Sequence, residues 1–305
     1  MKKSWFIFSA VILFTVFGLV QVSNSYAEEI CLVTDSIDES ALLPAQFRTM
    51  QDDFKTQGIS KSGLKNLLAS GSVQPSASQI LNIRNKFRRY KLVIVDLRQE
   101  SHGIINNTIP VSWHKGNNDI NLGKNLIQIE SDEKMRLNEL LEEKQITVFE
   151  IECSRKEKKV EVLTAQTEAG ACQRAGVGYL RIPVTDHHRP LDSEVDRFIS
   201  FIKGLDKNTW LHFHCRGGKG RTTTFLAMYD IMRNVEKSSL DDIIMRQKLL
   251  GGSNLFSYDE DSLEKTPFAA ERAEFIKNFY RYCKDNSADG FRQSWSEWLF
   301  HSNKP

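Results

Sequence analysis

One cysteine stands six positions ahead of an arginine in the run Leu211-His212-Phe213-His214-Cys215-Arg216-Gly217-Gly218-Lys219-Gly220-Arg221-Thr222-Thr223. Three glycines separate the two, and an apolar strand-like stretch leads in while a helix-like stretch leads out. A strand-to-helix turn of this kind aims successive backbone N–H groups inward and adds the positive end of a helix, which together cradle an anion. Glycines let the backbone wrap tightly without Cβ clashes. A thiol at the mouth of such a cradle is expected to ionise below the free value of about 8.5 and to attack phosphorus. Arg221 offers a planar fork that can grip two phosphoryl oxygens and follow them into the transition state. The Thr222 hydroxyl can hydrogen-bond the sulfur as it leaves, and His214 is expected to orient the loop. Arg216, Gly217, Gly218, Lys219 and Gly220 supply the remaining phosphate contacts. The G-x-x-x-x-G-K-[ST] nucleotide loop is absent, because Lys219 is followed by Gly220 and Arg221. The plain alternative is a buried cysteine beside a basic turn.

Cleaving a phosphate ester through a cysteinyl-phosphate needs an acid for the leaving oxygen and then a base for water. Pro183-Val184-Thr185-Asp186-His187-His188-Arg189-Pro190 reads as a loop between a strand end and a helix, and Asp186 is the candidate. The elements that must hold these loops are legible around them. Leu92–Leu97 is an apolar run, interrupted only by Asp96, of the kind buried in parallel sheets, and Tyr179–Val184 and Trp210–Phe213 read as further strands. Asp192 is expected to cap a helix carrying Val195, Phe198, Ile199 and Ile202 at helical spacing and ending at Gly204. Helices are also expected over 63–69 (stopped by Gly71), 78–89, 131–143, 222–233, 240–250 and 269–285, with a strand pair at 146–151 and 158–163. Strands alternating with helices make the fold α/β.

The 305 residues carry 41 Lys+Arg and 39 Asp+Glu, an ordinary globular composition with too small a basic excess for a nucleic-acid binder. Lys2 and Lys3, the apolar run Trp5–Val20 and Ser25-Tyr26-Ala27 have the three-part build of a secretory signal over 1–27. Its removal would balance bases and acids at 39 each. The rest, 28–305, is expected to be one domain acting outside the bacterial cytoplasm, secreted or periplasmic, without stable membrane association. Five cysteines show no metal spacing, and an odd count in an oxidising compartment leaves one thiol for another task. The other four, Cys31, Cys153, Cys172 and Cys283, allow three pairings. No metal or cofactor is expected.

Taken together, His214-Cys215-x5-Arg221-Thr222-Thr223, Thr185-Asp186-His187 with Pro190, Asp96-Leu97-Arg98-Gln99-Glu100-Ser101-His102-Gly103 and Ile109-Pro110-Val111-Ser112-Trp113 resemble the protein-tyrosine-phosphatase-like phytases. Asn121-Leu122-Gly123-Lys124, Arg246-Gln247 before Gly251-Gly252, and Trp295-Ser296-Glu297-Trp298-Leu299 extend the resemblance over nearly the whole chain. It implies a phosphatase core, a twisted sheet flanked by helices, with a small partial β-barrel inserted at about 124–180, to which 30–47 is a candidate addition. It also implies hydrolysis of myo-inositol hexakisphosphate and lower inositol polyphosphates. On this resemblance Cys215 is the nucleophile, Asp186 the general acid and Arg221 the phosphate clamp. Arg48 and His187 contact substrate, and Asp119 binds an inositol hydroxyl or orients a loop. Two stretches depart from the family pattern: Ser154-Arg155-Lys156-Glu157-Lys158-Lys159, and 258–268, where Lys265 is the one basic contact left. The competing functions are a phosphoinositide or phosphotyrosine phosphatase of the same mechanism and a non-catalytic phosphate-binding module.

Overall fold

The structure, a computed structural model, describes residues 30–34, 40–56, 58–115, 118–150, 153, 156–257 and 266–302. The signal expected over 1–27, Arg155 and Lys265 lie outside these residues. The strands are β1 (Cys31–Thr34), β2 (Arg48–Thr49), β3 (Ala69–Val73), β4 (Lys91–Arg98), β5 (His102–Ile105), β6 (Ile109–His114), β7 (Gln145–Glu150), β8 (Glu157–Glu161), β9 (Ala165–Gln166), β10 (Gly178–Val184) and β11 (Thr209–Cys215). The helices are α1 (Ala77–Lys86), α2 (Leu126–Glu143), α3 (Glu168–Ala175), α4 (Asp192–Lys203), α5 (Gly220–Asn234), α6 (Leu240–Leu249), α7 (Thr266–Asn286) and α8 (Trp295–Ser302).

A central sheet runs in the order β10-β4-β11-β3-β2, with β10, β4, β11 and β3 parallel and β2 antiparallel at the edge. Its middle strands are buried on both faces, which is why β4 is apolar at Leu92–Val95 and Leu97, with Asp96 between them. Alternation then sorts their side chains. Val95, Leu97, Leu211, Phe213 and Cys215 enter the large core built with α4 to α8. Leu92, Ile94 and Trp210 turn the other way, onto Ile80 and Ile83 of α1 and Ala171 and Cys172 of α3. Cys215 therefore lies on the α5 side, and His214, in register with Asp96, faces the other.

The helix expected over 63–69 is a short 3-10 turn at Leu64–Asn66, and Gly71 is an interior residue of β3 rather than a stop. A Cβ on Gly71 would lie 2.7 Å from Thr222 Cγ2, so the glycine serves the close approach of β3 to α5. The helix expected from 131 begins at Leu126, where Asn125 and Gln128 form a capping box. Asp192 does not cap α4. It is the first helical residue, Leu191 holds the cap position without a side-chain bond, and the Asp192 carboxylate accepts from Arg189 and Trp295 instead.

A second sheet runs in the order β8-β7-β1-β6-β5-β9 and packs on α2 around Val111, Trp113, Leu137, Ile146 and Val148. Its strands come from 31–34, 102–114 and 145–166, so β5 and β6 lie ahead of the span 124–180 expected for an insertion. The reason is local: β4 ends at Arg98, and after three residues the chain re-enters as β5, paired antiparallel with β6. A disulfide joins Cys31 of β1 to Cys153 beyond β7, while Cys172 and Cys283 are buried thiols. Among the described residues no helix is long and apolar enough to cross a membrane.

Candidate active site

The loop 215–221 springs from the C-terminal end of β11 and enters α5 at Gly220. Gly218 has φ +65°, and a Cβ there would meet the Ser72 and Val73 backbone at 2.5–2.7 Å, so the turn admits no side chain. Arg48 braces the loop from β2. Its Nη1 donates to the Gly218 carbonyl at 2.9 Å and its Nη2 to Thr223 Oγ1 at 3.3 Å. Burial lowers the Arg48 pKa to about 10, a shift that the charge on Cys215 opposes. Lys219 is exposed and donates to the Gly251 carbonyl at 2.7 Å. Thr222 Oγ1 donates to Cys215 Sγ at 3.2 Å. A hydroxyl hydrogen aimed at sulfur favours negative charge there over a bare apolar setting.

Arg221 is buried among carboxylates. Its Nη1 donates to Glu100 Oε2 at 2.7 Å and to the Val184 carbonyl at 2.9 Å, and its Nη2 donates to Glu100 Oε1 at 2.9 Å. The same Nη2 stands 3.2 Å from Asp186 Oδ1. Burial opposes the Arg221 charge, but Asp186 and Glu100 outweigh it and hold the guanidinium protonated far above its ordinary range. Burial likewise acts to raise the Glu100 carboxyl, yet Arg221 and Arg98 keep it well below the usual carboxylate range. Asp186 behaves in the same way: burial raises it, and Arg221, His187 and Asn118 bring it below its ordinary value. An anion placed at this fork would compete for Arg221, and the lowering of Asp186 would then relax toward its protonated form.

The structure thus brings together Cys215, Arg221, Thr222 and Asp186, with His187 next in the chain at φ +65°. Arg48 comes to the same site, bonded to the loop and buried. Arg216 is half-buried and Gly217 exposed on the loop's outer side, and Gly220 lies against Arg272. Asp119 is half-buried in the segment after β6, and the residue of that segment that reaches Asp186 is its neighbour Asn118, at 3.0 Å. Lys156 pairs with Glu150 at 3.5 Å, and Lys158 and Lys159 lie on β8, the edge strand of the second sheet.

Three residues of the site escape sequence reasoning. Glu100 lies inside a quoted motif, with nothing local to mark it as the partner of Arg221. Asn118 cannot serve as an acid, and nothing local marks it as the neighbour of Asp186. Arg272 sits in a mixed-charge helix, yet its Nη1 donates to the His187 carbonyl at 3.1 Å and its Nε is buried without a partner. Burial lowers its pKa against the opposing charges of Asp186 and Cys215, so it stands within electrostatic reach of both.

Behind the loop, on the far face of the sheet, lies a buried ionic cluster. His214 Nε2 is 2.8 Å from Glu168 Oε1, and His102 Nε2 is 3.2 Å from Asp96 and 3.3 Å from Glu168. Arg181 Nη1 donates to Glu133 at 2.8 Å, and Tyr179 donates to Asp96 at 2.7 Å. Among the described residues Asp96, His102 and Glu168 form the one group whose ligand-type atoms gather within 4.8 Å. Arg181, 3.3 Å from Asp96, already places a cation beside them. Burial acts to lower the His102 pKa, but Asp96 and Glu133 raise it to about 9, so a proton supplies the balancing charge.

A family model described as inositol hexakisphosphate, that of the PTP-like phytases, matches residues 95–233. A PTP-like phytase from Bdellovibrio bacteriovorus is 33% identical, with a TM-score of 0.71, over 89% of this chain and 95% of that one. A PTP-like myo-inositol phosphatase from Mitsuokella multacida, solved in complex with myo-inositol-(1,3,4,5)-tetrakisphosphate, is 34% identical with a TM-score of 0.82. That match covers 88% of this chain and 49% of the other. Effector protein hopD2 of Pseudomonas syringae pv. tomato is 29% identical over 262 residues, 83% of this chain and 56% of the relative. The chain therefore spans about half the length of these last two relatives.

Proposed function

The chain belongs to the protein-tyrosine-phosphatase-like phytase family, and from that premise we propose that it hydrolyses the phosphate esters of inositol polyphosphates through a cysteinyl-phosphate. One observation carries the reading: Arg221, forked on Glu100 and touching Asp186, sits six residues from a thiol already hydrogen-bonded by Thr222. In the first step the Cys215 thiolate attacks phosphorus, the P–O bond to the inositol breaks, and Asp186 gives its proton to the departing oxygen. In the second, Asp186 takes a proton from water, the water oxygen bonds to phosphorus, and the S–P bond breaks with Thr222 steadying the thiolate. Arg221 and the loop N–H groups hold the equatorial oxygens throughout. Nucleophile, acid and charge clamp are all side chains, so the steps call for no metal. The inositol phosphate bound by the Mitsuokella relative supports the substrate class. The Cys31–Cys153 disulfide supports an oxidising compartment, in keeping with export after cleavage near Ala27.

The test is phosphate release from inositol hexakisphosphate, a phosphotyrosine peptide and a phosphoinositide, side by side, with Cys215→Ser as the control. The inositol phosphate is expected to be turned over fastest and the variant to release none. Comparable or faster turnover of the peptide or the lipid headgroup would displace the substrate assignment, and turnover by the variant would displace the nucleophile.

A further inference from the structure

Asn118 is buried, and its amide nitrogen meets two carboxylates at once: Asp186 Oδ2 at 3.0 Å and Glu100 Oε1 at 3.2 Å. It belongs to neither loop of the phosphatase core. It lies on the segment leaving β6, the strand that runs down the second sheet, and holds a left-handed backbone at φ +61°, which asparagine tolerates better than most residues. The orientation of its amide is forced. The two hydrogens of Nδ2 point at carboxylate oxygens, Oδ1 is buried without a partner, and a reversed amide would press Oδ1 against two negative groups. The acid loop is tied to the same region a second time, where Thr185 Oγ1 donates to Gln99 Oε1 at 2.6 Å and Asn121 Nδ2 donates to the Gln99 carbonyl at 3.0 Å.

The contacts divide by what substrate does to them. Arg221 bonds both Glu100 and Asp186, and it is the group a phosphate draws away. Once it turns, Oδ1 of Asp186 keeps the His187 N–H at 3.0 Å, and Oδ2 keeps Asn118. Apart from Arg221, two side chains reach Asp186: His187, with Nε2 3.9 Å from Oδ2, and Asn118, which alone of the two donates a hydrogen bond to that oxygen. We infer that Asn118 is a positioning residue for Asp186, a latch from the second sheet that fixes the carboxyl where it can reach the leaving oxygen and later the water. This rests on the reading of Asp186 as the proton donor.

The test uses Asn118→Gly, which suits the left-handed backbone, and Asn118→Asp, which keeps the shape but sets a third carboxylate beside two others, each in the wild-type and Asp186→Asn backgrounds. Loss of one charge-assisted hydrogen bond is expected to lower kcat on an alkyl phosphate about tenfold with KM changed less than about twofold. On an aryl phosphate with a good leaving group, which needs little protonation, the loss should be much smaller. The donor stabilises the ionised carboxyl, so its removal moves the basic limb of kcat/KM to higher pH. In the Asp186→Asn background Asn118→Gly should cost nothing more. An undiminished loss in that background, or equal loss on both substrates, overturns the inference. Full activity of Asp186→Asn alone would overturn the acid assignment, and the inference with it.

Discussion

At the scale of single residues the site is a competition for one guanidinium. Arg221 is shared between Glu100 and Asp186, and on the proposed function a phosphate dianion would enter by displacing at least one of them. The cation that a sequence view overlooks is Arg272, whose buried Nε has no partner and whose Nη1 donates to the carbonyl of His187, next to Asp186. On the proposed function, the Arg272 guanidinium would lie where a second phosphate of a polyphosphate substrate needs a cation. Arg272→Ala is expected to raise KM for inositol hexakisphosphate about tenfold, the value of one charged hydrogen bond, while changing KM for p-nitrophenyl phosphate little. Parallel Michaelis curves on the two substrates decide it, and a rise of equal size on both would take Arg272 out of the polyphosphate subsite.

At the scale of elements, what matters is how closely β3 and the loop after β11 approach one another. Gly218 turns at φ +65° against the backbone of Ser72 and Val73, and Arg48 of β2 donates to its carbonyl from beneath. His212, bonded by Ser70 and Ser72 at 2.9 Å each, locks β3 to β11 just before the turn. Gly218→Ala is expected to destabilise by more than about 1 kcal/mol, because the left-handed strain and the clash add. The expected outcome is a fall in kcat of at least tenfold with a lowered melting temperature. Wild-type kinetics would mean that the loop can move away from β3 at no cost.

Over the whole molecule, the two sheets are joined by polar contacts, and these make stability depend on pH. His102 of the second sheet lies among Asp96, Glu133 and Glu168, and its pKa rises from 6.5 to about 9. A group whose pKa is raised on folding contributes stability that is complete below its unfolded value and is lost as pH climbs through the folded one. Melting temperature is therefore expected to fall between about pH 6.5 and pH 9, by the equivalent of up to about 3 kcal/mol, and the slope should flatten in His102→Gln. A flat wild-type profile over that range would show that His102 is neutral in the fold. The disulfide fastens the same layer, closing a separation of 122 residues between β1 and the turn after β7.

The sequence by itself determined what lies close along the chain. The thiol, the glycines, Arg221 and Thr222 occupy one turn, so their spacing names the chemistry before any fold is known. Long apolar runs such as Leu92–Leu97 likewise declared buried strands, because burial on both faces leaves no room for alternation. Other things were decided only when distant segments met. Glu100 and Arg221 are 121 residues apart, and Asn118 and Asp186 are 68 apart. The strands β5 and β6 went unread because their burial comes from a sheet assembled out of three separate stretches of chain. That Arg48 donates to the Gly218 carbonyl and to Thr223 could not be read ahead of the fold either, since 170 residues separate it from the loop it braces. Which charges are paired before substrate arrives is a property of packing, and packing sums contacts that no local pattern encodes.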